Sequence, residues 1–401
     1  MLRPGSLAFI VLLGALTALN ALSIDMSLPA MPELARVFHA TTDQTQWTLS
    51  GFLLGFSAGQ LFCGPLADRF GRRPLIITGL IIFVLAVFGC AASNSMAALV
   101  ALRTVQGIGA CVGPILGRAM VRDLYDRDHG ARMLSHMTVV MSVAPLLAPI
   151  LGGYLLRFIS WRAIFGTIGL VGLVVLFVVV RRLAESLVAP DRAALRPGRL
   201  LGNYRYFFRS RVALGFAFIC CLQFCGLFSY ISGAPFVYIE VFGVPNDAFG
   251  YFFAIPALAL VGGGLANARL LRHWEGERLI QIGLALVLGA GFLMWWGALL
   301  GVGIFGIVVP IMLYVFGLGL VTPNALAAAM EPHPNMAGIV SSLIGCLQMA
   351  GGALAGWIAS RFYDHTPIPM ATSVFIAAGG SFLIYHLFVR GRPGRTARQR
   401  S

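Results

Sequence analysis

The chain has 401 residues and a formal net charge of +14, yet only 11% of its residues are charged and 58% are hydrophobic. Soluble domains carry about a quarter charged residues, so a soluble protein is excluded, and so is a disordered one. The positive charge does not point to nucleic acid, because all the basic residues are Arg and they cluster between apolar runs rather than on a groove-reading surface.

A bilayer core needs about 20 apolar residues per helix. Runs of that kind predict spans over 7–27, 47–67, 74–92, 96–117, 133–156, 161–181, 211–233, 247–268, 279–300, 303–325, 337–359 and 370–389. The first run is read as a retained helix rather than a signal peptide, since eleven further spans follow it. The seven Cys all fall inside apolar stretches with no metal-ligand spacing, and read as small packing residues.

With the N-terminus inside, the inner segments carry 24 Arg and the outer ones four (Arg36, Arg157, Arg162 and Arg361), while Arg103 lies within span 4. This asymmetry predicts a multi-pass protein with both termini in the cytoplasm. Residues 1–181 form one six-helix half, 182–210 a polar cytoplasmic linker, 211–389 a second half and 390–401 a basic cytoplasmic tail. The halves share two short matches at an offset of 199: Gly64–Ala67 with Gly263–Ala266, and Gly152-Gly153 with Gly351-Gly352. The expected fold is therefore an all-α membrane protein of twelve helices in two pseudo-symmetric halves, an architecture suited to alternating access around a central site.

After span 2 the sequence reads GPLADRFGRRP, residues 64–74, a glycine turn (Gly64, Gly71) with Asp68 among Arg69, Arg72 and Arg73. The span-4 exit supplies Arg118, Arg122 and Asp123. Opposite charges on neighbouring helix ends can act as a conformational latch; individually, these Arg residues can equally be solvated anchors at the membrane face.

The 64–74 segment resembles the signature loop of the major facilitator superfamily, and RTVQGIGA (103–110) is similar to that superfamily's Arg-containing helix motif. APLLAPILGG (144–153) resembles the kinked helix of its antiporters through Pro145, Pro149, Gly152 and Gly153, with Ala148 where a Gly is expected. DMSLPAMP (25–32), FSYISGAPFVYI (228–239) and TPNALA (322–327) are similar to the bicyclomycin-resistance (Bcr/CflA) drug-efflux subfamily. The resemblance implies a proton-coupled antiporter expelling small amphipathic drugs across a bacterial inner membrane, with a single endogenous metabolite, such as a sugar or nucleoside, as the alternative cargo. In the second half, Asn267 and Ala268 stand where Asp68 and Arg69 stand in the first, so the latch is expected to be asymmetric.

Charges inside spans cost about 2.5–3.5 kcal/mol each on insertion scales. Asp25 and Arg103 fall in the same half of the bilayer and are the candidates for proton coupling. For Asp25 the alternative is a wet carboxylate at the membrane edge; for Arg103 it is snorkelling or a structural bond to backbone carbonyls. Gly107, Ala110 and Pro114 follow Arg103 along one helix face and permit close approach of a neighbour. Thr17, Asn20, Gln106, Gln223, Phe224, Tyr230, Tyr314, Asn324 and Gln348 are the candidate lining of a substrate cavity, although each can instead bond a neighbouring helix. With so few fixed charges in this lining, neutral or zwitterionic cargo is favoured over dications. No nucleotide-binding, catalytic or metal motif appears. The expectation is a monomeric secondary transporter with the proton as coupling ion, no other cofactor, and lipid and substrate as partners.

Overall fold

The computed structural model describes residues 6–191, 194–331 and 337–390. Among them are twelve helices long and apolar enough to cross a membrane: α1 Leu7–Val37, α2 Thr42–Phe70, α3 Arg72–Ala92, α4 Met96–Leu124, α5 Arg132–Phe158, α6 Trp161–Arg182, α7 Arg211–Val241, α8 Asn246–Leu270, α9 Gly276–Leu299, α10 Phe305–Met330, α11 Gly338–Arg361 and α12 Ile368–Val389. Each matches a predicted span to within a few residues at one end or both, and several run further because polar residues continue or cap the helix beyond the apolar run. α2 starts five residues early: Gln44 accepts from the Thr41 amide at 3.1 Å in a capping box.

The signature segment is mostly helix rather than loop. Helix α2 continues through Phe70, Pro65 included, and α3 begins at Arg72. The turn is reduced to Gly71, whose φ of 101° is inaccessible to most side chains. Helix α1 is interrupted after Asp25 because Pro29 lacks the amide that would bond the Asp25 carbonyl; a short 3-10 turn, Leu28–Ala30, and a second helical piece, Met31–Val37, follow.

Helix pairings repeat between the halves. In the first, α1 packs on α5, α2 on α4, α3 on α4 and α3 on α6; six spans later, α7 packs on α11, α8 on α10, α9 on α10 and α9 on α12. The two main cross-contacts, α2 with α11 and α5 with α8, are also exchanged by this relation. Without a hydrophobic drive between helices in lipid, such contacts depend on small residues and hydrogen bonds. Ser50, Ser57 and Ser342 supply them along α2 and α11, donating to the carbonyls of Ala353, Cys346 and Gln60 at 2.9–3.0 Å.

The linker is more ordered than its polar composition suggests. Pro197–Arg209 is a helix with Pro at its start. Its Tyr204 donates to the Leu61 carbonyl of α2 at 3.0 Å, while its buried Phe207 joins the apolar cluster of Phe216, Val340 and Tyr385 in the second half. The connection thus touches both halves. Of the expected basic tail, residues 391–401 lie outside the described residues.

Candidate functional site

At the Arg-rich end of the helices, Arg72 is the hub. Its Nη1 donates to Asp68 at 2.6 Å, one helical turn back across the Gly71 break, and its Nε donates to Asp123 at the end of α4, 2.9 Å away. Arg72 is 4% exposed, so these charge-assisted bonds offset its desolvation. Ser186 adds a hydroxyl donor to Asp123 at 3.2 Å. Glu185, just beyond α6, accepts from the amides of Arg72 and Arg73 at 3.0 Å and so caps α3. A Cβ on Gly71 would sit 2.6 Å from that carboxylate, a second reason for glycine at the turn.

The other expected latch residues play different parts. Arg69 is exposed and stacks near Phe70, and Arg73 donates to the Val180 carbonyl. Arg118 donates through Nε to the Pro114 carbonyl on its own helix. Neither Arg118 nor Arg122 forms an ion pair among the described residues. The charge network therefore ties α2, α3, α4 and the linker within one half and does not bridge the two halves in this conformation.

Deeper in the first half, Arg103 is fully buried. Its guanidinium donates to the carbonyls of Ser23 on α1 (3.0 Å) and Thr48 on α2 (3.2 Å) and to Gln106 (2.9 Å), and lies 4.7 Å from the centre of the Phe52 ring. Asp25 and Arg103, the two coupling candidates, do not pair among the described residues; the guanidinium bonds backbone carbonyls and Gln106 instead. Asp25 is 6% exposed and lies two residues beyond Ser23. Gly107 makes the α2–α4 approach possible: a Cβ there would collide with the Phe52 carbonyl.

The opposite end is closed by α5 and α8. On α5, Pro145 and Pro149 stand inside the helix. A Cβ on Gly152 would collide with the Met26 carbonyl of α1, and one on Gly153 would lie 2.5 Å from the Asn246 carbonyl of α8. Arg157 pairs with Asp247, and Tyr154 and Tyr251 share a 3.0 Å hydroxyl bond, both across the halves. These four residues escaped sequence reasoning because each looks like an ordinary interfacial side chain on its own helix.

The expected cavity lining does not come together. Thr17 donates to Leu13, Gln106 bonds Arg103 and Ser23, Tyr230 pairs with Tyr238, and Tyr314 donates to the Gln223 carbonyl. Asn324 donates to Asn267 at 2.6 Å, Phe224 packs on Phe228, and Gln348 is half-buried. Asn20 and Gln223 keep buried amide atoms without partners. Gln106, Tyr314 and Asn324 are thus taken up by bonds between helices, and Thr17 and Tyr230 by bonds within their own. A cavity of about 880 Å³ lies nearer the Arg-rich end and is walled chiefly by α2, α4, α11 and the linker; none of the nine expected residues lines it.

Twelve helices in exchanged pairings, a charged turn after α2 and an Arg within α4 define a family, and the family's sequence model, the Major Facilitator Superfamily, matches residues 13–356. The chain belongs to the Major Facilitator Superfamily. It is 34% identical over 384 residues to a bicyclomycin resistance protein homolog of Haemophilus influenzae, with 96% of each chain covered. Multidrug resistance protein D of Escherichia coli is 30% identical over 357 residues, covering 88% of this chain and 89% of that one. Among solved structures, the partially occluded inward open conformation of the E. coli xylose transporter XylE superposes with a TM-score of 0.76 at 15% identity, over 96% of this chain and 98% of that one. As a superfamily member the chain is a multi-pass membrane transporter rather than an enzyme, and its bicyclomycin-resistance resemblance extends over nearly its whole length.

Proposed function

We propose that this transporter expels small amphipathic drugs from a bacterium in exchange for protons. The observation that carries the reading is the combination of a drug-resistance relative aligned over 96% of the chain with a cavity that opens at one end while α5 and α8 close the other. On this reading the Arg-rich end and both termini face the cytoplasm, the membrane is the inner one, and the molecule works as a monomer with domain boundaries at 181–182 and 210–211. Alternating access follows from rocking the halves on the α2–α11 and α5–α8 seams. Inward movement of one proton at 100 mV is worth about 2.3 kcal/mol, enough at about 1.4 kcal/mol per tenfold for a roughly fifty-fold substrate gradient.

Asp25 is the proposed proton carrier. It is buried, without an ion partner among the described residues, at the break in α1 where Gly152 of the closing helix packs against Met26. Movement of α5 changes its surroundings directly. Arg103 acts on it through α1, by holding the Ser23 carbonyl. The test is pH-gradient-driven uptake in everted vesicles. Asp25→Asn is expected to abolish uphill transport while substrate-for-substrate exchange persists; uphill transport at the wild-type level removes Asp25 from the coupling role.

A further inference from the structure

The cavity at the Arg-rich end has a chemistry of its own. Arg118 and Arg122 stand one helical turn apart on α4 and both face it. Arg118 is anchored only through Nε, leaving its two terminal nitrogens unbonded among the described residues. Arg122 reaches across to α11, its Nη1 lying 3.2 Å from where a Cβ on Gly338 would stand. On the α2 wall, Gln60 is 4% exposed, and its amide oxygen is buried without a partner. Of the Asp residues that also line the cavity, Asp68 is bonded to Arg72 and Asp126 to His129, and Asp191 is not without a partner. The His129 amide, and then its ring, hold the Asp126 carboxyl below the usual range, so it stays anionic with that charge bonded within its own turn. Ile115, Leu116, Leu134, Ile339 and Leu343 make the rest of the wall apolar.

Two guanidinium groups with open donors, facing an apolar chamber of about 880 Å³ and without a carboxylate partner among the described residues, form a receptor for an acid with a greasy body. We propose that this cavity is an entry vestibule that binds amphipathic carboxylates, sulfonates or zwitterions, with the ligand's anionic group on Arg118 and Arg122 and its apolar part against α4 and α11. Taking the ligand as transported cargo rests on the efflux function proposed above. The vestibule narrows the expected cargo from neutral or zwitterionic molecules to those that carry an anionic group.

The experiment uses the full chain in phosphatidylcholine nanodiscs and two probes, neutral chloramphenicol and its hemisuccinate ester, which adds a succinyl arm ending in one carboxylate, with binding followed by equilibrium dialysis. The hemisuccinate is expected to bind about tenfold more tightly, the effect of one charge-assisted contact. Arg118→Gln and Arg122→Gln each remove most of that preference and change parent binding by less than about twofold, whereas Arg118→Lys keeps part of it. Ser341→Glu, on the α11 wall, removes the preference with both Arg in place, so the assignment remains testable should an Arg variant misfold. Equal binding of the two probes to the unaltered protein, or parallel loss of both in the variants, overturns the vestibule. Proton-driven flux of the hemisuccinate is assayed separately in vesicles. Flux without anion preference overturns the vestibule alone, and anion preference without flux overturns the efflux reading alone.

Discussion

The two halves place related helices at the Arg-rich end and fill them with different chemistry. In the first, α2 and α4 end in Asp68 and Asp123, both bonded to the buried Arg72. In the second, the counterpart helices carry Asn267, in the last turn of α8, and Asn324, in the closing turns of α10, joined by one 2.6 Å amide bond, and Arg269 beside them is exposed. Even the start of the following helix is treated alike in position and differently in charge: Glu185 caps α3, while the Asn324 amide oxygen lies 3.1 Å from a Cβ position on Gly276, the first residue of α9. A charged cluster must recover a large desolvation cost through its own bonds, whereas an amide pair has little to recover. The same backbone arrangement thus carries a highly coupled junction in one half and a weakly coupled one in the other.

The strongest way to break this comparison is Asp123→Ala. It leaves Arg72 buried with one acceptor fewer, and is expected to lower stability by on the order of 3 kcal/mol, read as a fall in the thermal midpoint of the purified protein. An unchanged midpoint means that the cluster is not holding α4 to α3. Asn324→Ala, the equivalent cut in the second half, orphans the Asn267 oxygen and is expected to cost only about 1–2 kcal/mol. Equal losses in the two variants erase the asymmetry. The smallest effect belongs to Glu185→Gln, which weakens the cap on α3 by about 1 kcal/mol; hydrogen exchange at the Arg72 and Arg73 amides should quicken while the rest of α3 stays protected.

Much of the fold was legible because a bilayer imposes one length and one composition on every span, so apolar runs alone locate all twelve helices. The asymmetry between halves was legible too, from Asn267 and Ala268 standing opposite Asp68 and Arg69. The hub was not. Arg69, Arg72 and Arg73 are equivalent as sequence, and only the approach of α4 and the linker makes Arg72 the buried one and leaves Arg69 exposed. Glu185 and Ser186 gave no signal because they act from a segment more than a hundred residues away. The bonds of the substrate candidates were hidden for a related reason: Tyr230, Tyr314 and Asn324 are polar groups inside spans, but whether such a group faces a cavity or a bonding partner depends on rotations that periodicity does not specify.

Composition and the spacing of apolar runs were thus sufficient to determine a twelve-helix membrane protein in two halves, since hydrocarbon leaves a chain of this kind few alternatives to helices of that length. Tertiary structure decided which charges meet. It turned Arg103 toward the Ser23 and Thr48 carbonyls rather than Asp25, and placed the open cavity beside Arg118 and Arg122 rather than among the polar residues of the spans. Both outcomes depend on distances between helices distant in sequence, where an ångström of approach decides whether a buried donor finds a carbonyl, a carboxylate or an open chamber.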